Sequence, residues 1–214
     1  YKWEAGSSTY PGTEERGGKM ITDIMTIKKG ISRVIWGYVF LYFDLNIGTV
    51  SILPAFAGYL LFLSAIPLLQ EEERELKLLR TFCIILAVWR AGNWIFSWFS
   101  VALDESFSGI IAVASILIEL ISLYFQFQFL TNLASIAKKH QPEGSDLNKH
   151  LLRCRTGQTI TLTMIDVILH LKIWFSDMWE YVAVSIAIIY MILGICIIYR
   201  LFQLKHCLQE SCPS

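Results

Sequence analysis

The chain has 214 residues, of which 55% are apolar, 14% aromatic and 17% charged, with 18 basic side chains balancing 18 acidic ones. A soluble domain carries about 25% charge, so the deficit points to hydrocarbon as the solvent, and the apolar content excludes a disordered chain. Zero net charge, with no basic cluster beyond four Lys/Arg, argues against a nucleic-acid-binding protein, whose affinity comes from neutralising phosphates.

Residues 1–30 are expected as a flexible cytoplasmic tail, since Tyr1 to Lys19 is rich in Gly, Ser, Thr and Glu with nothing to bury. No apolar h-region precedes Ile31, so no signal peptide is expected. The run Glu14-Glu15-Arg16-Gly17-Gly18-Lys19 before Met20 reads like a translated, purine-rich ribosome-binding site. Native synthesis is therefore expected to start at Met20, the alternative being a native tail.

A membrane-crossing helix needs roughly 20 apolar residues. Ile31 to Leu69 is long enough for two such helices joined by a turn at Asn46-Ile47-Gly48, with Pro54 in the first turn of the second. Thr81 to Ser100 makes a third and Ser108 to Ile136 a fourth. Gln141-Pro142-Glu143-Gly144 is a stop signal, Ser145-Asp146 an N-cap, and a fifth helix runs on to Phe175 with Thr156 to Trp174 as its apolar part. Tyr181 to Leu204 is the sixth, leaving 205–214 as a short tail. The expected architecture is an all-α, polytopic integral membrane bundle with six transmembrane helices over residues 31–204. Five spans, the first helix lying in the interface, is the alternative.

Orientation follows from Lys and Arg, which stay on the cytoplasmic side. Sixteen of the 18 bases fall before or at the start of the first span, between spans two and three, between four and five, or at the end of the sixth span and in the tail; only Arg90 and Lys172 lie deeper inside spans. The opposite connectors carry Asp44, Asp104, Glu105, Asp177 and Glu180 and no base. Both termini are thus expected in the cytoplasm. Cys83 and Cys196 fall within spans and Cys154, Cys207 and Cys212 on the reducing side, so no disulfide is expected.

A charge near the bilayer centre costs ~2.5–3.5 kcal/mol on the mildest scale, which makes intramembrane ionisable groups the informative ones. Arg90, Glu119 and Asp166 each lie about 14–17 Å from a membrane face at 1.5 Å per residue. Around them run polar stripes at helical spacing: Arg90, Asn93 and Ser97; Ser115, Glu119, Ser122 and Gln126; Thr159, Thr163, Asp166 and His170. The expected buried cluster is therefore Arg90, Asn93, Glu119, Gln126, Asp166 and His170, shared by spans three to five. An Arg90–Glu119 pair is expected within it, with Asp166 bonded to His170 or Arg90. A surplus carboxylate beside a histidine can take up a proton in the physiological range, which suits a small transporter-like or sensing protein. The competing reading is a non-catalytic scaffold or partner subunit, because polar stripes also hold membrane helices together.

An enzyme ranks third. The chain contains no His-Glu-x-x-His, no Gly-x-x-x-x-Gly-Lys-Ser/Thr, no Gly-x-Gly-x-x-Gly and no Gly-x-Ser-x-Gly. His150 and Cys154, with His206, Cys207 and Cys212, have ligand types that suit zinc but lack a tight Cys-x-x-Cys knuckle. No metal or cofactor is expected. Glu71-Glu72-Glu73 reads as a solvated connector with an i, i+4 pair from Glu73 to Lys77.

The stretch Phe43-Asp44-Leu45-Asn46-Ile47-Gly48, followed by Ile52-Leu53-Pro54-Ala55-Phe56-Ala57-Gly58-Tyr59, resembles an Ile-Leu-Pro-x-Phe-x-Gly-Tyr hairpin pattern of small, functionally uncharacterised bacterial multi-pass membrane proteins. Ser51 and Ala55 stand where that pattern has acids. The resemblance covers about 20 residues and implies a bacterial inner membrane with no activity attached. The expected partners are the lipid bilayer and a second copy or a membrane partner protein. Gly58 is expected to be a close-packing position between spans one and two.

Overall fold

The computed structural model describes residues 13–43, 46–47, 50–51, 55–99, 108–171 and 179–210; within these, side chains are described except at 13–21, 46–47, 50–51, 97–99, 108, 110, 166, 168–171, 179–180 and 183. Six helices carry the fold: α1 (Thr13–Tyr42), α2 (Ala55–Leu69), α3 (Leu76–Phe99), α4 (Ser108–His140), α5 (Leu147–Leu171) and α6 (Trp179–Glu210). Between α1 and α2, the two-residue strands β1 (Asn46–Ile47) and β2 (Val50–Ser51) pair antiparallel, Asn46 opposite Ser51 and Ile47 opposite Val50. Asn46 and Ile47, expected in the turn, are strand residues instead, and Gly48 lies outside the described residues.

Each helix packs on the next and α6 returns to α1, so the six close into a ring. Short connectors make neighbours antiparallel: Gly30 lies on Leu69 while Gly37 lies on Gly58, and Ser32 meets Lys205 while Tyr42 meets Gly194. The ring therefore has one end bearing the connectors 70–75 and 141–146, called here the connector end, and an opposite end.

Packing is tightest toward the connector end, where Ile31, Leu69, Leu76, Leu133, Ala137, Leu151, Leu201, Leu204 and Leu208 are fully buried. At mid-height an aromatic cluster fills the ring. Phe62 meets Tyr38 edge-on and Phe129 in a tilted contact, both at 5.0 Å, and Phe125 stacks on Phe129 at 5.3 Å. These rings bury large apolar areas and gain from edge and offset geometry besides.

The helices are apolar outside as well as inside. Leu78, Val88, Val113, Leu117, Ile188 and Ile192 are all exposed, on faces of α3, α4 and α6 that water would not tolerate contiguously. Three stretches, Leu76–Phe96, Ile111–His140 and Val184–Glu210, are long and apolar enough to cross a membrane. By contrast α2, at 15 residues, is only about 22 Å long at 1.5 Å per residue. Pro67 falls inside it and removes the N–H that would bond the Leu63 carbonyl. One turn before the proline, Arg33 Nη1 of α1 donates to the Ser64 carbonyl at 2.8 Å.

Two expected boundaries move. Residues 13–30 belong to α1 rather than to a flexible tail, because Ile24 and Ile27 find buried positions at the connector end, a gain that polarity alone does not reveal. At the other terminus α6 continues past Leu204 to Glu210, with Leu208 fully buried.

The connector end is closed by side chains. Lys138, Lys139 and His140 occupy the last turn of α4, where cations complement the helix dipole. Glu73, expected to pair with Lys77, instead bonds Ser135 Oγ at 2.9 Å and Lys139 Nζ at 3.1 Å, while Glu72 Oε2 lies 3.4 Å from His140 and Glu75 accepts from Gln128 at 2.6 Å. The α2–α3 connector thus docks onto α4 instead of standing free in solvent. Since Lys139 is nearly half exposed, Glu73→Gln should cost no more than about 1 kcal/mol. Thermal unfolding in detergent measures this, and a loss of several kcal/mol would mean that the connector carries the fold.

After α4, Gly144 turns the chain with φ +85°, a conformation glycine adopts without steric penalty. Asp146 stands at the N-cap of α5, but its carboxylate takes the Lys149 ammonium at 2.7 Å. That hydrogen bond, reinforced by the Lys149 charge, holds Asp146 below the usual carboxylate range. The orphan N–H of Asn148 is capped by Gln141 Oε1 at 3.1 Å.

Candidate functional site

Toward the opposite end the ring encloses a half-open polar cavity of about 270 Å³, to which every helix contributes. Its charged and polar walls are Tyr59 of α2, Arg90 of α3, Glu119, Ser122 and Gln126 of α4, and Tyr190 of α6; Leu41 of α1 and Ile165 of α5 supply apolar wall. Helical periodicity builds the α4 wall directly, since Glu119, Ser122 and Gln126 follow at i, i+3 and i+7.

Tyr59 joins the cavity to the aromatic core. Its ring is fully buried against Phe62 and Phe125, while its hydroxyl shares a hydrogen bond with Ser122 Oγ at 3.2 Å. Gln126 Nε2 donates to the same Ser122 oxygen at 3.4 Å, and Gln126 Oε1 accepts from Gln158 Nε2 of α5. Buried polar groups persist only when bonded, so this chain of contacts ties α2, α4 and α5 at one level. The Arg90 guanidinium lies within electrostatic reach of the Tyr59 and Tyr190 hydroxyls. Tyr190 in turn packs on Tyr42, ring centroids 4.9 Å apart.

The residues expected from the sequence divide three ways. Arg90, Glu119 and Gln126 come together in the cavity. Asn93 does not: it is exposed, in an apolar groove between α3 and α4 with Gly92, Val88 and Ile118. The side chains of Asp166 and His170 lie outside those described, as does Ser97.

The expected Arg90–Glu119 ion pair does not form. Arg90 is exposed at the cavity, and among the described residues neither charge has an ion-pair partner within 4.0 Å. Being open to one side, the cavity lets each charge keep solvation that a closed bundle would strip away, so pairing is not enforced.

On α5 the cavity takes Leu162 and Ile165 rather than the Thr159, Thr163 stripe, and Gln158 reaches it only through its hydrogen bond to Gln126. Thr163 is exposed; its hydroxyl donates to the Thr159 carbonyl at 2.9 Å, and Thr159 to Arg155 at 3.0 Å. A threonine bonded to its own helix needs no partner from the bundle. The usable signal was Gln158, which cannot satisfy its amide locally in this way, and sequence reasoning passed over it in favour of the charged stripe. Tyr59 and Tyr190 carry no such signal, because a tyrosine within an apolar run does not show where its hydroxyl points.

Among the described residues no three His, Cys, Asp or Glu side chains gather as a metal site. His150, His206 and Cys207 do reach one pocket at the connector end, beside Asp146 and Arg200, without forming such a group. Cys154 turns away from them, its Sγ 3.3 Å from Cys196 Sγ between α5 and α6.

The site thus belongs to an all-α helical ring in which, among the described residues, three helices are long and apolar enough to cross a membrane. No protein-family model, no curated protein and no solved structure matches the chain.

Proposed function

We propose that the chain is a six-span plasma-membrane protein with both termini cytoplasmic, which admits a small zwitterionic solute to the cavity between Arg90 and Glu119 as a transporter-like or sensing protein. The observation that carries this reading is a cation and a carboxylate lining one half-open cavity without pairing with each other. A solute bearing both charges satisfies both groups at once, and charge-assisted hydrogen bonds are the strong ones. At about 270 Å³ the cavity is smaller than those of drug-sized ligands, which suits a solute of few heavy atoms.

Orientation rests on the bases gathered at the connector end, with the cavity then opening toward the outside. For single-cysteine variants in sealed cells, a probe at Gly109 or Tyr181 should react from outside, and one at Glu72 or Gly144 only after permeabilisation. Labelling of Gly144 from outside would reverse the orientation.

The scaffold reading keeps one observation of its own, the interhelical Ser122–Gln126–Gln158 contacts that bind α4 to α5. Thermal-shift measurements in detergent separate the two. Glycine, alanine and glycine betaine should raise the Tm of the parent, whereas ammonium and acetate alone should not. A panel in which no zwitterion shifts the parent would leave the scaffold.

A further inference from the structure

A second charged recess, of about 480 Å³, opens at the connector end between α1 and α6. Lys28, Lys29 and Lys205 line it, with Ser32, and Ile24 and Met25 form apolar wall. Lys205 Nζ donates to Ser32 Oγ at 3.2 Å, which fixes the ammonium of α6 over α1. None of the three lysines has a carboxylate within 4.0 Å among the described residues. Three like charges line the recess, and among the described residues none of them is neutralised by a direct ion pair.

Moving inward from that end, the character of both helices changes within two turns. On α1, Met25, Lys29, Ser32 and Trp36 follow at i, i+4, i+7 and i+11 and so share a face. Trp36 is more than half exposed. On α6, which runs the opposite way, Phe202 lies three residues deeper than Lys205 and is also half exposed. So α1 presents two ammonium groups at the end with an exposed aromatic about two turns further in, and α6 presents one ammonium with an exposed aromatic about one turn further in. That is the profile of a molecule with an anionic head and a hydrocarbon tail, and compact ammonium charges suit a phosphate.

We infer that this recess holds the phosphate headgroup of an anionic phospholipid, its acyl chains running along Trp36 and Phe202. The inference rests on the membrane reading above. It explains why the lining of this recess on the α1–α6 seam carries three bases and no acid, since basic pockets between membrane helices on the cytoplasmic side suit anionic headgroups.

The test is native mass spectrometry of the full chain in detergent, exchanged against phosphatidylglycerol or phosphatidylcholine. Phosphatidylglycerol should stay bound and phosphatidylcholine should not. The triple change Lys28→Gln, Lys29→Gln, Lys205→Gln should weaken retention on the order of a hundredfold, at about fivefold per lysine, while the triple Lys→Arg variant keeps it. Millimolar inorganic phosphate should leave the lipid in place.

Equal retention of phosphatidylcholine, or an unchanged Gln variant, would overturn the inference. Displacement by phosphate would assign the recess to a free anion instead. If the Gln variant fails to fold, the parent still decides, because retention must fall steeply with added salt. A chain that labels in the proposed orientation but retains no phosphatidylglycerol loses only this inference; one that does not insert loses the membrane reading first.

Discussion

Replacing Gly58 with valine should cost about 3 kcal/mol or more and leave little folded protein in detergent. A Cβ at position 58 would stand 2.8 Å from the Gly37 carbonyl oxygen and 3.4 Å from Phe40 Cβ. The first obstacle is backbone, so it cannot swing aside, and overpacking that displaces backbone sits at the upper end of the usual 1–3 kcal/mol range. The reciprocal change, Gly37→Ala, meets the Phe62 ring, which is itself held by Tyr38, Phe125 and Phe129. It should be damaging for the same reason. Gly92→Ala is the control: a Cβ there meets nothing within 4 Å, so the substitution should be neutral or stabilise α3 by about 0.4–1 kcal/mol. Thermal unfolding of the three variants side by side checks the contrast. A well-folded Gly58→Val protein would mean that α1 and α2 are not in backbone contact.

The second large effect concerns binding rather than stability. Arg90→Gln and Glu119→Gln should each lower affinity for a zwitterionic solute by about 10- to 100-fold, the equivalent of losing a hydrogen bond to a charged group. Their effects on unfolding should be small and should add within about 0.5 kcal/mol, as for side chains that share no contact. A buried ion pair would behave otherwise. Breaking it from either side would cost about 3–5 kcal/mol and the double change would be milder than the sum. Titration calorimetry and a double-mutant cycle therefore report separately on the cavity and on pairing, and strong coupling in stability would restore the pair.

Much of the architecture is legible because its causes are local. Apolar length marks the helices: α4 begins at the expected Ser108 and α5 directly after the expected Ser145-Asp146 cap, while the expected ends at Ser100 and Phe175 lie outside the described residues. Gly58 could be expected at a close approach because a helix seam in a membrane favours small residues, and its nearest neighbour is the Gly37 backbone. The α4 stripe could be read because Glu119, Ser122 and Gln126 recur at helical spacing in an otherwise apolar run. Where the readings failed, the deciding term was long-range. Ile24 and Ile27 look like isolated apolar residues in a polar segment until the connector end gives them buried positions. Glu73 has a suitable cation four residues on, but Lys139 reaches it from another helix.

The sequence by itself determined that the chain is helical, that its bases segregate to one side of the apolar segments, and that ionisable groups sit within those segments, because each property depends on composition and spacing along the chain. Only the tertiary structure decided which faces meet. Ring closure through α6 and α1 brings Tyr59, Tyr190 and Gln158 to the polar level and turns Asn93 and Thr163 outward. It leaves Arg90 and Glu119 around an open space instead of in contact. The physical reason is that a helix offers several faces of similar polarity, and the one that turns inward is chosen by backbone approach at Gly37, Gly58 and Gly194 and by the aromatic rings packed beside them, which no single segment encodes.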